Sequence, residues 1–319
     1  MKRVFSKIRY TVRNLRGLKG GNSIYSLSRN DRKLTVGLIS PALLMMVFFF
    51  LYPLLYTLWL SLHKYNIARP LEKPFIGGLN YVMVFQDSYF WVSVKATIYF
   101  LIVAVSIEMI LGLAVAVLLN QKFKGRGFVR ALLIIPWAVP AVVNGVMWKW
   151  IYNPSFGALN GLLKTFGIID KYIIWLGHPF LALNMLVIAD VWKETPFIAL
   201  IILAALQTIP ESLYEAAKVD GANSWQSFRK ITLAVIRPTL FVALSLRTIW
   251  AVKSFDLVYT LTQGGPSRGT SLIAYYMYIK SFVSLTFGYG AAVACIITIV
   301  IFIIIFFYQR ALTAESFEK

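Results

Sequence analysis

An all-α integral membrane fold with six transmembrane helices is what this sequence predicts, and three observations predict it. Of 319 residues, 59% are hydrophobic and only 14% charged, against roughly 45–50% and about 25% in ordinary soluble domains. The mean hydropathy is +0.70. Six stretches hold the roughly 20 apolar residues a helix needs to cross a bilayer core of about 30 Å. Within that core a helix satisfies its own backbone, so these stretches read as helices. Too little charge remains to cover a soluble globular enzyme. The single cysteine, Cys295, excludes an internal disulfide and any cysteine-rich metal site.

Taken in order, residues 1–35 form a basic N-terminal segment. Val4, Ile8, Val12 and Leu15 recur at helical spacing among Lys2, Arg3, Lys7, Arg9, Arg13 and Arg16. The pattern fits an amphipathic helix lying on anionic membrane lipid, with a basic tail that only fixes topology as the alternative. Its basic region is too long for a cleavable signal, and no small-residue cleavage site follows. The membrane domain, 36–308, carries spans at 36–62, 92–119, 128–151, 181–207, 231–252 and 289–308. Pro41, Pro53, Pro136, Pro140, Pro196 and Pro238 lie in or beside these spans, where neighbouring helices can satisfy the freed carbonyls. A short tail, 309–319, completes the chain.

Orientation follows from the placement of Lys and Arg. With the N-terminus in the cytoplasm, the inner segments hold 19 of these residues and the outer segments 8. Both termini are therefore expected inside the cell. The same bias accounts for most of the net charge of +19, and no nucleic-acid partner is expected.

Among the inner loops, 209–231 stands apart. Pro210 suits the first turn of a helix and Glu211 favours its positive end. Glu215, Ala216, Ala217 and Lys218 carry the helix forward, and Asp220-Gly221 stops it, Gly221 permitting a left-handed residue. Ser224 is the expected cap of a second short helix leading into the fifth span. Trp225 and Phe228 share one helical face, as do Leu213 and Ala217. So short a helix needs a groove to pack in, on its own bundle or on a partner.

These residues resemble a known family. Glu215-Ala216-Ala217, then Gly221, Ile231 and Leu233, are similar to the EAA loop of binding-protein-dependent ABC importers. Asp220, Ala222, Phe228 and Pro238 resemble the fuller pattern of the oligosaccharide-type sugar permeases, with Ala234 standing where that pattern has proline. Asn80-Tyr81, Phe85, Phe90-Trp91 and Thr97 extend the resemblance upstream. Trp192-Lys193, Pro196-Phe197 and Gln207-Ile209-Pro210 continue it into the loop. Phe255-Asp256 and Leu261-Thr262-Gln263-Gly264-Gly265-Pro266 follow it.

The resemblance implies that Glu215, Ala216, Ala217, Asp220, Gly221 and Phe228 form a coupling loop seated in a cytoplasmic ATPase. The chain itself has no G-x-x-x-x-G-K-[S/T] phosphate-binding loop. ATP and Mg²⁺ are therefore expected on two copies of a partner ATPase, and no cofactor on this chain. The resemblance further implies a second, related permease, an external solute-binding protein and a saccharide cargo. The expected location is a prokaryotic inner membrane.

Charged groups at bilayer depth are costly and mark functional positions. Asp190, Glu194 and Phe197 share one face of the fourth span. Arg247, Trp250 and Ser254 share one of the fifth, Arg247 lying ten residues and about 15 Å beyond Arg237. In the similar permeases these two helices line the pathway. With Asn144 of the third span they form the candidate substrate path, aromatic faces for sugar C–H surfaces and polar groups for hydroxyls. Arg247 also has a structural alternative, pairing with Glu194 or Asp190 between helices. Glu108 and Lys95 read as inter-helix or snorkelling groups. His63 and His178 lack a second metal ligand at usable spacing. The mixed charges favour a neutral oligosaccharide over an acidic or phosphorylated one. Two rival classes remain. A secondary transporter would need its own coupling-ion site. A membrane enzyme would need clustered carboxylates, of which Asp220 with Glu215 is the nearest approach.

Overall fold

The computed structural model describes residues 29–313, and among them it is helical throughout its regular structure. The amphipathic pattern expected over residues 4–15 lies outside the described residues, as does the end of the tail. The chain divides into two compact units, one reaching to Leu55 and the other beginning at Tyr56. In the first, α1 (Arg29–Met46) passes through a π-helical turn, Val47–Leu51, and the chain continues as α2 (Tyr52–Ser61). The apolar stretch Gly37–Ser61 is 25 residues long, enough to cross a membrane.

The second unit is built around α4 (Ser88–Asn120), a helix of 33 residues preceded by the short α3 (Leu79–Gln86). At ~1.5 Å per residue α4 exceeds the apolar layer, so it tilts or projects. Asp87 starts it by accepting the Tyr89 N–H at 2.8 Å. The same carboxylate meets Lys280 Nζ at 2.7 Å and the Tyr276 hydroxyl at 2.8 Å. Burial pushes the Asp87 carboxyl up, but Lys280, Tyr276 and the Tyr89 N–H outweigh that and hold it at about 2.

The third predicted span is not one straight helix. It is a pair, α5 (Arg126–Ala138) and α6 (Ala141–Ile151), bent by 92°. Val139 between them is extended, at φ −68° and ψ 126°. Proline at 140 sterically excludes the α conformation from the residue before it, so the break falls where the chain chemistry puts it. A short helix, α7 (Ala158–Thr165), follows. The fourth predicted span is α8 (Pro179–Leu206), 28 residues long and carrying Asp190, Lys193 and Glu194 in its middle.

The segment expected to be a coupling loop forms α9 (Glu211–Val219) and α10 (Ser224–Ser227). A π-helical turn, Phe228–Thr232, leads directly into α11 (Leu233–Val252). The predicted second short helix is thus the first turn of one 29-residue helical run, Ser224–Val252. α12 (Asp256–Leu261), α13 (Ile273–Tyr278) and α14 (Phe287–Thr313) complete the chain. Among the described residues four helical runs are long and apolar enough to cross a membrane, five if the bent pair counts as one span. α8 is also long enough, but holds three charges.

α4 and α8 pack along one another most extensively, and α11 lies against both and against α14. Phe100, Ala104, Leu186 and Ala189 fill one part of the core; Ala116, Ile198, Ile202, Ile236 and Ala243 fill another. At Gly112 of α4 the Ile198 side chain of α8 occupies the space a Cβ would take. That close approach brings the charged middle of α8 against α4.

Candidate functional site

Six of the seven predicted pathway residues line one polar cavity of about 220 Å³. They are Asn144, Asp190, Glu194, Arg247, Trp250 and Ser254, with Lys193, Lys253 and Asp256 also in the wall. The seventh, Phe197, lies beside it and packs on Trp250, ring centroids 4.8 Å apart. Trp137 of α5 also stacks on Phe197, at 5.6 Å. The bend at Val139-Pro140 places α6 so that Asn144 reaches the same cavity.

Arg247, Asp190, Lys193 and Glu194 are not free. Arg247, 2% exposed, donates from Nε to Glu108 Oε2 at 2.5 Å and from Nη2 to Glu108 Oε1 at 2.8 Å. Nη2 also donates to Asp190 Oδ2. Lys193 Nζ meets Glu194 Oε1 at 2.7 Å. Arg247 therefore pairs with Asp190, one of its two expected partners, and with Glu108 in place of Glu194. The sequence singled out Glu108 as an inter-helix group without naming its partner. Which carboxylate meets Arg247 is set by how closely α4 approaches α8, which the helical period alone does not show. Asn144, 1% exposed, donates from Nδ2 to the Ala189 carbonyl at 3.3 Å. Its Oδ1 is buried without a partner.

At the far end of α11 the residues expected to couple to an ATPase fold as a capped turn. The Gly221 N–H donates to Lys218 O at 3.1 Å and the Ala222 N–H to Ala217 O at 2.8 Å. These two bonds are the Schellman pair that satisfies the last carbonyls of a helix. They require the left-handed backbone that Gly221 adopts at φ +76°. The second cap is Asn223, one residue before the Ser224 expected. Asn223 Oδ1 accepts from the Gln226 N–H, and Gln226 Oε1 accepts from the Asn223 N–H, both at 2.9 Å. Asn223 won the position because Gln226 stands three residues on, completing a capping box.

Glu215, Ala216 and Ala217 lie on α9, Asp220 ends it, and Phe228 begins the π turn. Trp225 stacks on Phe228 at 5.7 Å and is 67% exposed. One contact went unforeseen: the Tyr214 and Thr232 hydroxyls hydrogen-bond at 2.8 Å, tying α9 to the base of α11. Among the described residues no group of three metal-ligating side chains gathers.

A bent, multi-helix bundle with a polar cavity and a capped helical turn at the end of a core helix fits a membrane permease. Residues 108–315 match the family model described as "Binding-protein-dependent transport system inner membrane component", and the chain belongs to that family. It is 43% identical over 276 residues to the trehalose/maltose transport system permease protein MalF of Thermococcus litoralis, covering 86% of this chain and 91% of that one. It is 37% identical over 287 residues to the trehalose transport system permease protein SugA of Mycobacterium tuberculosis, covering 90% and 91%. To the sulfoquinovosyl glycerol permease SmoG of Agrobacterium fabrum it is 36% identical over 270 residues, covering 85% and 87%. The fold is similar to a crystal structure of a bacterial ABC transporter importing the acidic polysaccharide alginate. There the TM-score is 0.75 at 24% identity, covering 90% of this chain and 96% of the other. The chain is thus a multi-pass permease subunit of a sugar-type ABC importer.

Proposed function

We propose that this chain supplies half of a pathway importing a neutral saccharide, with Asn144, Glu194, Phe197, Trp250 and Ser254 contacting cargo and Asp190 and Arg247 forming the floor. The observation that carries this reading is the charge state of the cavity. Its guanidinium is held by two carboxylates and Lys193 by Glu194. Lys253 also faces the space, but the wall sets three carboxylates, Asp190, Glu194 and Asp256, against its three cations, Lys193, Arg247 and Lys253. There is thus no excess positive charge of the kind an acidic cargo would need. Phe197 and Trp250 offer flat apolar surface beside the polar wall. The relatives' names point to neutral disaccharides in two cases. A cavity of about 220 Å³ falls below the ~300–1,000 Å³ of typical small-ligand sites. A second, related permease would complete it.

The remaining parts follow the family resemblance. Both termini face the cytoplasm of a prokaryotic cell, by the excess of Lys and Arg on that side. The turn at 209–231, through Glu215, Ala216, Ala217, Asp220, Gly221 and Phe228, seats in one of two ATPase subunits, where ATP and Mg²⁺ bind. An external solute-binding protein delivers the cargo. Exposed Leu213, Val219 and Trp225 give the turn an apolar docking surface.

The test is reconstitution in liposomes with the partner permease, the ATPase and the binding protein. ATPase stimulation and uptake are measured with trehalose, maltose, alginate oligosaccharide and a sugar phosphate. Neutral sugars are expected to stimulate. Stimulation by the acidic sugars alone would overturn the neutral reading. Glu215→Lys should assemble poorly with the ATPase; wild-type assembly would remove the coupling role.

A further inference from the structure

Glu108 does not line the cavity, yet it makes the most extensive contact to a side chain that does. It sits on α4, is 0% exposed, and takes the Nε and Nη2 edge of Arg247 with both its oxygens. Asp190 takes the second N–H of Nη2. A guanidinium has five N–H donors in a rigid plane. These contacts commit three of them and leave the two on Nη1. With one edge of the plane gripped, the orientation of the rest is fixed, because the fork cannot rotate without losing two charge-assisted bonds at once.

We propose that Glu108 is a positioning residue for cargo, acting through Arg247. It rests on the reading of the cavity as the saccharide path. From behind the wall, Glu108 fixes the guanidinium plane, and with it the arrangement that Arg247 and Asp190 present to the cavity. It also makes the junction carry two carboxylates for one cation, which keeps Arg247 from acting as a free anion-binding group. Removing its charge need not unfold the junction. With Glu108→Gln, Arg247 and Asp190 remain a one-to-one pair, and the amide keeps the size of the side chain.

The experiment uses the full importer in liposomes and measures trehalose and maltose taken up per ATP hydrolysed, together with the thermal stability of the assembled complex. Glu108→Gln is expected to leave assembly and ATP hydrolysis intact. Sugar moved per ATP should fall about tenfold or more, tenfold being near the low end of what a hydrogen bond to a charged group gives. Glu108→Asp, which keeps the charge, should restore part of that ratio. Trp250→Ala and Asn144→Ala serve as the test of the cavity itself. If these two lower sugar per ATP while Glu108→Gln does not, the positioning role is wrong and the cavity reading stands. If neither of them lowers it, or the wild-type complex moves neither sugar, the cavity reading falls and this proposal with it. Loss of assembly in Glu108→Gln, with Glu108→Asp at the wild-type ratio, would make the residue structural and overturn the proposal.

Discussion

Beneath the cavity, three helices meet through side chains that are far apart in the chain: Arg247 lies 139 residues from Glu108 and 57 from Asp190. The turn at 209–231 is assembled from neighbours. Its Schellman bonds, its capping box and its left-handed glycine all fall within the span 217–226. The junction holds charge out of water around one shared cation, Arg247, whereas the turn satisfies backbone groups locally and leaves its side chains exposed. A network of buried ions is therefore where a single substitution should do most harm, and the turn is where it should act mainly on function.

The largest effect is expected from Arg247→Met. It leaves Glu108 and Asp190 facing one another without a cation, and breaking a buried ion network by removing one partner costs about 3–5 kcal/mol. The thermal midpoint of the purified complex should fall steeply, or the subunit should fail to accumulate. A midpoint within a degree or two of wild type would mean that the junction is not the fixed point assumed here.

The next concerns the turn. Gly221 has open space around its Cα, so only its φ of +76° restricts it. Gly221→Val should strain the turn by more than the ~1–2 kcal/mol that an ordinary residue meets in the left-handed region, since β-branched residues are outliers there. The protein should still insert, but uptake should be lost. Gly221→Asn, a residue that tolerates this region, should retain most of it. Equal loss in both would point to a need for glycine's small size against a partner in place of its conformation.

The contrast also explains what could be read from the sequence. Glu211 to Gly221 as a helix and its stop were legible because each signal sits within a few residues of its effect. The second cap was misplaced by one residue, since Ser224 and Asn223 are both good caps and only the distance to Gln226 separates them. The faces Asp190/Glu194/Phe197 and Arg247/Trp250/Ser254 were legible from helical period alone. How they pair was not, because pairing depends on how deeply α4 approaches α8 at Gly112. Likewise Pro140 announced a kink, but its 92° depends on how α5 and α6 pack on the rest of the bundle.

A smaller effect should follow Tyr214→Phe. The hydroxyl pair with Thr232 is the one side-chain bond described between α9 and the base of α11. Its loss is worth about 1 kcal/mol, too little to unfold the subunit. If that bond carries movement from the turn into α11, ATP hydrolysis should continue while sugar moved per ATP drops severalfold. An unchanged ratio would leave the apolar packing around Tyr214 and the continuous helix from Ser224 to Val252 as the mechanical links.

The smallest effect sharpens the comparison by placing an ion pair in the turn beside the one in the junction. Lys122 Nζ and Glu211 Oε1 are 2.9 Å apart, a hydrogen-bonding distance like the 2.8 Å from Arg247 Nη2 to Glu108, yet both side chains are more than three-quarters exposed. The hydrogen bond and charge of Lys122 hold the Glu211 carboxyl below the usual range. A carboxyl lowered in the folded state adds stability above its unfolded pKa of about 4.3 and loses it as pH falls through the lower folded value. At neutral pH, then, the contribution is fully present, but water and salt screen it. Lys122→Ala should leave thermal stability and uptake at pH 7 unchanged within error, and raising the salt concentration should change neither protein differently. A clear loss of uptake with normal stability would mean that the 120–126 loop and α9 move together during transport, and that distance, not burial, decides which ion pairs matter in this subunit.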